Sequence, residues 1–265
     1  MLLNIFQYDF VVRGLVAGVI IAIVAPVVGI FLVLRRYSLI ADTLSHVSLA
    51  GIAIGFLLKI NPLLTATAST IIASTFIEKL RNSKKIYGES ALALFLSGSL
   101  ALAIVLIGLS HGFNSTLFNY LFGSIATVTN TDIITVFALA LIVLIIIKII
   151  YNQLIFLTFD ADAAEVSGIN ANLINTVFAI LAAATISLSI PIVGVLLISS
   201  LLIIPVLTSL QFKKSLIPTI LIAQTISIIA VISGSFISFY FNLATGGTIV
   251  LITVAIFLVT SLLLS

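Results

Sequence analysis

Apolar blocks long enough to cross a bilayer follow one another along almost the whole chain, separated only by short polar breaks. The pattern predicts helical spans at about 11–34, 38–58, 62–78, 90–109, 131–150, 173–190, 193–211, 215–240 and 246–264. The sixth and seventh are separated only by Pro191 and its neighbours, and Pro205 interrupts the seventh. That stretch reads either as two short helices or as one span plus a re-entrant piece, because non-helical backbone is tolerated at membrane depth when protein or a water-filled cavity surrounds it. The expectation is an all-α polytopic membrane protein of eight or nine transmembrane helices, with residues 1–265 forming a single domain.

The polar breaks give the chain a direction. Arg35 and Arg36 follow the first span; Lys79, Arg81, Lys84 and Lys85 follow the third; Lys148 ends the fifth; Lys213 and Lys214 follow the seventh. All nine fall at odd-numbered connections, which leaves Arg13 and Lys59 for the other side. By the positive-inside rule the odd connections are cytoplasmic and the N-terminus is outside. The N-terminal stretch carries no basic n-region, and the first span exceeds a signal-peptide core, so that span is expected to be retained. Gly14-x-x-x-Gly18 and Gly51-x-x-x-Gly55 are spacings that let helices approach closely, read here as generic packing in preference to a dimer seam.

Composition sharpens the class. Of 265 residues, 62% are hydrophobic and only 7% charged, against about 25% charged in soluble domains. The net charge of +3 sits at helix ends, where topology accounts for it, and no nucleic-acid partner is expected. The chain has no cysteine, which excludes disulfides, thiolate metal sites and thiol redox chemistry.

The candidate chemistry lies in the second span, where His46 follows Asp42 by four residues. On a helix that spacing puts carboxylate and imidazole on one face. At a 1.5 Å rise per residue, Asp42 lies ~9 Å beyond Arg36 and His46 ~15 Å, about half of a ~30 Å hydrocarbon core. Ionisable groups at that depth are costly and mark ion or substrate paths. Imidazole with carboxylate suits a divalent transition ion such as zinc or manganese. The competing reading is a helix-start carboxylate and a hydrogen-bonded buried histidine; His46's depth favours the functional one. Ser38 and Ser45 continue the polar stripe, as water or supporting contacts more than as direct ligands.

Two connections stand out. In Thr158-Phe-Asp-Ala-Asp-Ala-Ala-Glu-Val-Ser-Gly-Ile169, Asp160 is placed to cap a short helix carrying Asp162 in its first turn, with Glu165 three residues on and Gly168 as its stop. Such an acidic helix suits docking on another protein, and an ordinary structured connector carries the same marks. The second connection, about 110–130, holds His111, Asn114, Asn119 and a polar tract from Gly123. It either receives cargo or closes a vestibule; for His111 a solvated loop position is commoner than a metal ligand. No Gly-x-x-x-x-Gly-Lys-[Ser/Thr] loop occurs, so active transport would draw on an ion gradient or on a separate ATPase.

Several ordered motifs together resemble the membrane permease family of zinc and manganese ATP-binding-cassette importers, nearly end to end. They are Gly29-Ile-Phe-Leu-Val-Leu-Arg-Arg36, Asp42-Thr-Leu-Ser-His-Val-Ser-Leu-Ala-Gly51, Leu157 through Gly168, Val193-Gly-Val-Leu-Leu-Ile-Ser-Ser-Leu-Leu-Ile-Ile-Pro205, and Gly246-Gly-Thr-Ile-Val-Leu251. The resemblance implies a type II importer-like permease in a prokaryotic cell membrane. It works as a dimer of permease chains with two cytoplasmic ATPase subunits, which use the ATP, and an extracytoplasmic metal-binding protein. The resemblance also implies that residues 158–170, with Asp160, Asp162, Glu165 and Gly168, hold the coupling helix received by the ATPase, and that Asp42 and His46 lie on the metal path. The permease itself is then no enzyme. The wording around Asp42 is more similar to the zinc branch; manganese members more often read Gly-Asp-Ala-Xaa-Ser-His followed by Leu-Pro-Gly. The chain departs from many relatives at Ala244, where they carry proline before the last extracellular turn.

Two other classes are weighed against this one. An ion-coupled secondary transporter should carry several intramembrane carboxylates, whereas Asp42 is nearly alone and Glu78, Glu89 and Asp132 are read at span ends. An intramembrane enzyme would need a catalytic constellation, and His46 has no His-Glu-x-x-His context.

Overall fold

The computed structural model of the protein describes residues 7–82, 87–109, 115–124 and 128–264. Among them it contains eleven helices and no strand: α1 Asp9–Leu34, α2 Leu39–Leu58, α3 Pro62–Asn82, α4 Gly88–Leu109, α5 Ser115–Phe122, α6 Asn130–Phe159, α7 Ala161–Val166, α8 Ala171–Val193, α9 Ile198–Leu210, α10 Leu216–Phe241 and α11 Thr245–Leu264. All nine expected spans are present as helices. Seven of them (α1, α2, α4, α6, α8, α10 and α11) are long and apolar enough to cross a membrane.

The bundle is organised around α8. Of its apolar window 83% is buried, against 17% for α4 and α11, which places α8 at the centre and those two at the lipid-facing edge. Alanines and serines make this possible. Ala179, Ala182, Ala183, Ser187 and Ser189 are buried along α8, where short side chains let neighbouring helices close in. α3 has the length of a span but too many hydroxyls to read as apolar. Its Thr67, Thr70 and Ser74 return their hydroxyls to carbonyls three or four residues back at 2.8–3.0 Å. Thr70 Oγ1 also meets Ser187 Oγ of α8 at 2.7 Å. These three hydroxyls of α3 are therefore satisfied within the protein. The Gly51 and Gly55 spacing seats α2 on α3 of the same chain, against Ala66, Thr65 and Pro62.

The weakest part of the sequence pattern is a real break. α8 runs through Pro191 to Val193, the backbone turns over residues 194–197, and α9 follows with 13 residues. At 1.5 Å per residue α9 is ~20 Å long, short of a ~30 Å core. It is a partial span, so the seventh expected span narrows from 193–211 to Ile198–Leu210. The break lies inside the bundle: Gly18 packs on Ile192 and Gly29 on Leu202, and Gly18 is nine residues, or ~14 Å, into α1. Its polar backbone is satisfied by the segment that includes α5. Val195 N–H donates to the Tyr120 carbonyl at 2.9 Å, Leu196 N–H to that of Leu121 at 3.3 Å, and Ser124 N–H to that of Pro191 at 3.1 Å. Gly194 and Gly123 both hold left-handed φ (81° and 75°) where the two backbones touch, so a side chain at either would meet peptide atoms.

Two expectations are corrected. The 110–130 connection is not all loop, since α5 occupies Ser115–Phe122; His111 and Asn114 lie outside the described residues. Lys148 does not end the fifth span. α6 continues to Phe159, and its 30 residues reach ~45 Å, enough to carry it past a bilayer core on the α7 side.

Candidate functional site

The chain leaves α1 through Arg36, held at a left-handed φ of 54°, and enters α2 at Leu39. Asp42 and His46 then stand one turn apart in a helix whose other neighbouring positions (Ala41, Thr43, Leu44, Ser45, Val47) are buried, while these two remain half-buried. The partial helix α9 comes to meet them. Ser199, in its first turn, points its hydroxyl at Asp42 Oδ1 at 3.5 Å, a long contact. The carboxylate therefore faces a helix N-terminus, where aligned peptide dipoles favour negative charge. His46 Nδ1 is buried and has no hydrogen-bond partner. A buried polar atom left unpaired costs about 1–3 kcal/mol, and Arg13 Nε, Tyr37 Oη, Glu78 Oε2, Gln211 Oε1 and Ser227 Oγ likewise lack a hydrogen-bond partner.

Ser45 is buried and donates to the backbone carbonyl of Asp42 at 2.7 Å, not to its carboxylate. Ser38 occupies the position before α2 without a side-chain capping bond. Among the described residues no group of three or more His, Cys, Asp and Glu gathers anywhere. The donor set from this chain is one carboxylate, one imidazole and the Ser199 hydroxyl. These are donor types that suit a divalent cation. Ser199 is absent from the sequence-derived site. Its signal was a Ser-Ser pair shortly after Gly194 in an otherwise apolar stretch, but only the turn at 194–197 reveals that it faces α2.

Between α6 and α8, α7 forms as the sequence indicates. Asp160 Oδ1 accepts from Ala163 N–H at 2.9 Å. The helix ends with Gly168 N–H on the Glu165 carbonyl (3.0 Å) and Ile169 N–H on that of Ala164 (3.1 Å), a Schellman closure with Gly168 at φ 86°. Ala164 is buried, while Asp162, Glu165 and Val166 face outward, Val166 at 91% exposure. Around α7 the helix ends are tied together. Arg35 donates to Asn175 Oδ1 in the first turn and a half of α8 and lies 5.6 Å over the Phe178 ring. Glu78, read from sequence as a span-end carboxylate, is only 2% exposed and pairs with Arg81 Nε at 3.5 Å.

A bundle with a broken central hairpin, a half-buried carboxylate–imidazole pair beside the break, and one fully capped surface helix defines a membrane-spanning transport protein. The chain matches the model of the ABC 3 transport family over residues 7–264, and it belongs to that family. It is 33% identical to the manganese import system permease protein ScaB of Streptococcus gordonii, over 97% of this chain and 92% of that one. It is 30% identical to the high-affinity zinc uptake system membrane protein ZnuB of Haemophilus influenzae, over 95% and 96%. Among solved structures, PsaBC from Streptococcus pneumoniae in complex with Fab superposes with a TM-score of 0.86 at 30% identity, covering 97% of this chain and 92% of that one.

Proposed function

We propose that this chain is the permease subunit of an ATP-driven importer of divalent metal, zinc by preference. Asp42 and His46 contact the ion in transit, and α7 couples the bundle to a separate cytoplasmic ATPase. The observation that carries the reading is the buried, unpartnered Nδ1 of His46 on the same helix face as Asp42, beside the N-terminus of α9. The relatives' names support metal as cargo, and imidazole with carboxylate suits both zinc and manganese. A manganese or iron importer permease of the same family is the second reading, its manganese form supported by the Streptococcus gordonii relative. Two permease chains, two ATPase subunits and an extracytoplasmic metal-binding protein complete the importer. The positive-inside pattern supports a cytoplasmic α7 and an external N-terminus.

The test is metal uptake into vesicles containing this chain and its ATPase, with the metal-binding protein loaded with zinc or manganese and the other metal as competitor. The reading expects ATP-dependent zinc uptake, and a single cysteine introduced at Asp162 that is labelled only from the ATP-accessible side. Uptake that runs without ATP on a proton or sodium gradient would replace it with a secondary transporter.

A further inference from the structure

At the α7 end of the bundle, α1, α3 and α6 leave a pocket of about 280 Å3 lined by Leu34, Arg35, Arg36, Arg81, Leu157 and Thr158. Three arginines line it. Arg81 pairs with the buried Glu78 and lies 4.6 Å over the Tyr37 ring. Arg35 is fixed by Asn175 and by stacking on Phe178. Arg36 leaves the backbone at a left-handed φ with its side chain exposed. Three positive charges against one carboxylate leave two without a counter-charge among these residues. The aromatic rings position Arg35 and Arg81 without neutralising them. Burial, and then the like charge of Arg81, hold the Arg35 pKa below its ordinary value.

The ordinary explanation is topological: basic residues belong at cytoplasmic helix ends, and Arg35 and Arg36 follow the C-terminus of α1, where the helix dipole favours a cation. That explains charge at a surface. It does not explain why two guanidiniums are locked by rings and a third is set beside them around one concavity. Planar guanidinium forks match phosphate oxygens two at a time. The lining adds a second observation, because the pocket lies near the ends of two membrane-crossing helices, α1 and α6, where Leu34 and the buried Leu157 form its apolar wall. Basic pockets between spanning helices at the membrane surface suit anionic headgroups.

We infer that the Arg35–Arg36–Arg81 pocket binds a net-anionic phosphate group, supplied by an anionic phospholipid headgroup or by free phosphate, with its place at the helix ends favouring the lipid. A headgroup there would join the ends of α1, α3 and α6 next to α7, where the bundle meets its ATPase.

The test uses the permease–ATPase complex reconstituted in equal phosphatidylglycerol and phosphatidylcholine, extracted, and examined by native mass spectrometry for retained lipid. Wild type should keep phosphatidylglycerol over phosphatidylcholine by about tenfold, the equivalent of one charge-assisted hydrogen bond. Arg36→Gln, which alters an exposed side chain, should remove most of that preference. Arg81→Lys keeps the charge opposite Glu78 but loses the fork, and should reduce it by less. Thermal stabilisation by millimolar inorganic phosphate beyond chloride at matched ionic strength, without lipid preference, identifies free phosphate and still supports the pocket. Equal retention of both lipids with no phosphate effect overturns the inference, as does full preference in Arg36→Gln. Loss of ATPase association in Arg36→Gln without any lipid or phosphate effect also overturns it, and assigns the arginines to an acidic protein surface.

Discussion

The α2–α9 site and the α7 helix are both short polar features in an apolar chain, yet they treat their hydrogen-bonding groups in opposite ways. At α7 the described caps close the backbone: Asp160 satisfies the first turn and a Schellman turn at Gly168 satisfies the last. What remains outward is side chain, Asp162, Glu165 and Val166, on a rigid support. At α2–α9 the backbone is equally regular, but a buried imidazole nitrogen has no partner and a carboxylate has only a long hydroxyl contact. A surface that must fit another protein gains from a fixed shape. A site that an ion must enter and leave gains from incomplete satisfaction. That contrast is what the proposed roles of the two regions would require.

Removing the open groups should have the largest effect. Asp42→Ala and His46→Ala should each lower metal uptake by at least about 10–100-fold, the range for groups that shape a metal site, while insertion and ATPase association stay at wild-type levels. Changes at the closed helix should act on coupling. Gly168→Val forces a β-branched residue into a left-handed φ, at a cost of about 1–3 kcal/mol, although the space around its Cβ is open. Glu165→Lys reverses an exposed charge. Both should weaken co-purification with the ATPase and reduce metal-stimulated ATP hydrolysis, leaving Asp42 and His46 intact. The smallest effect belongs to Ser199→Ala. Its hydroxyl lies 3.5 Å from Asp42, so uptake should fall by about threefold, the low end for one hydrogen bond. A loss as large as that of Asp42→Ala would move Ser199 among the primary ion contacts.

Much of this was legible from the order of residues. Helices declared themselves because each needs about 20 apolar residues to cross the core. The i, i+4 spacing of Asp42 and His46 placed them on one face whatever packed against it. Asp160 and Gly168 marked both ends of α7 because capping is local chemistry. What stayed hidden depends on contacts between distant segments. Glu78 looks like a span-end carboxylate until Arg81 and Tyr37 enclose it. Ser199 looks like one hydroxyl among many until the turn at 194–197 brings it to α2, 157 residues earlier in the chain. That turn is hydrogen-bonded to the segment containing α5, a connection in the sequence pattern that gave no helix signal.

The most direct measurement compares His46→Ala and Gly168→Val in the same reconstituted vesicles, recording metal taken up and ATP hydrolysed together. The account predicts that His46→Ala keeps its ATPase bound and hydrolysing while uptake nearly disappears. Gly168→Val should lose metal-stimulated hydrolysis and uptake together. Wild-type uptake by His46→Ala at normal abundance in the membrane would contradict the central claim that the open imidazole on α2 lies on the path of the ion.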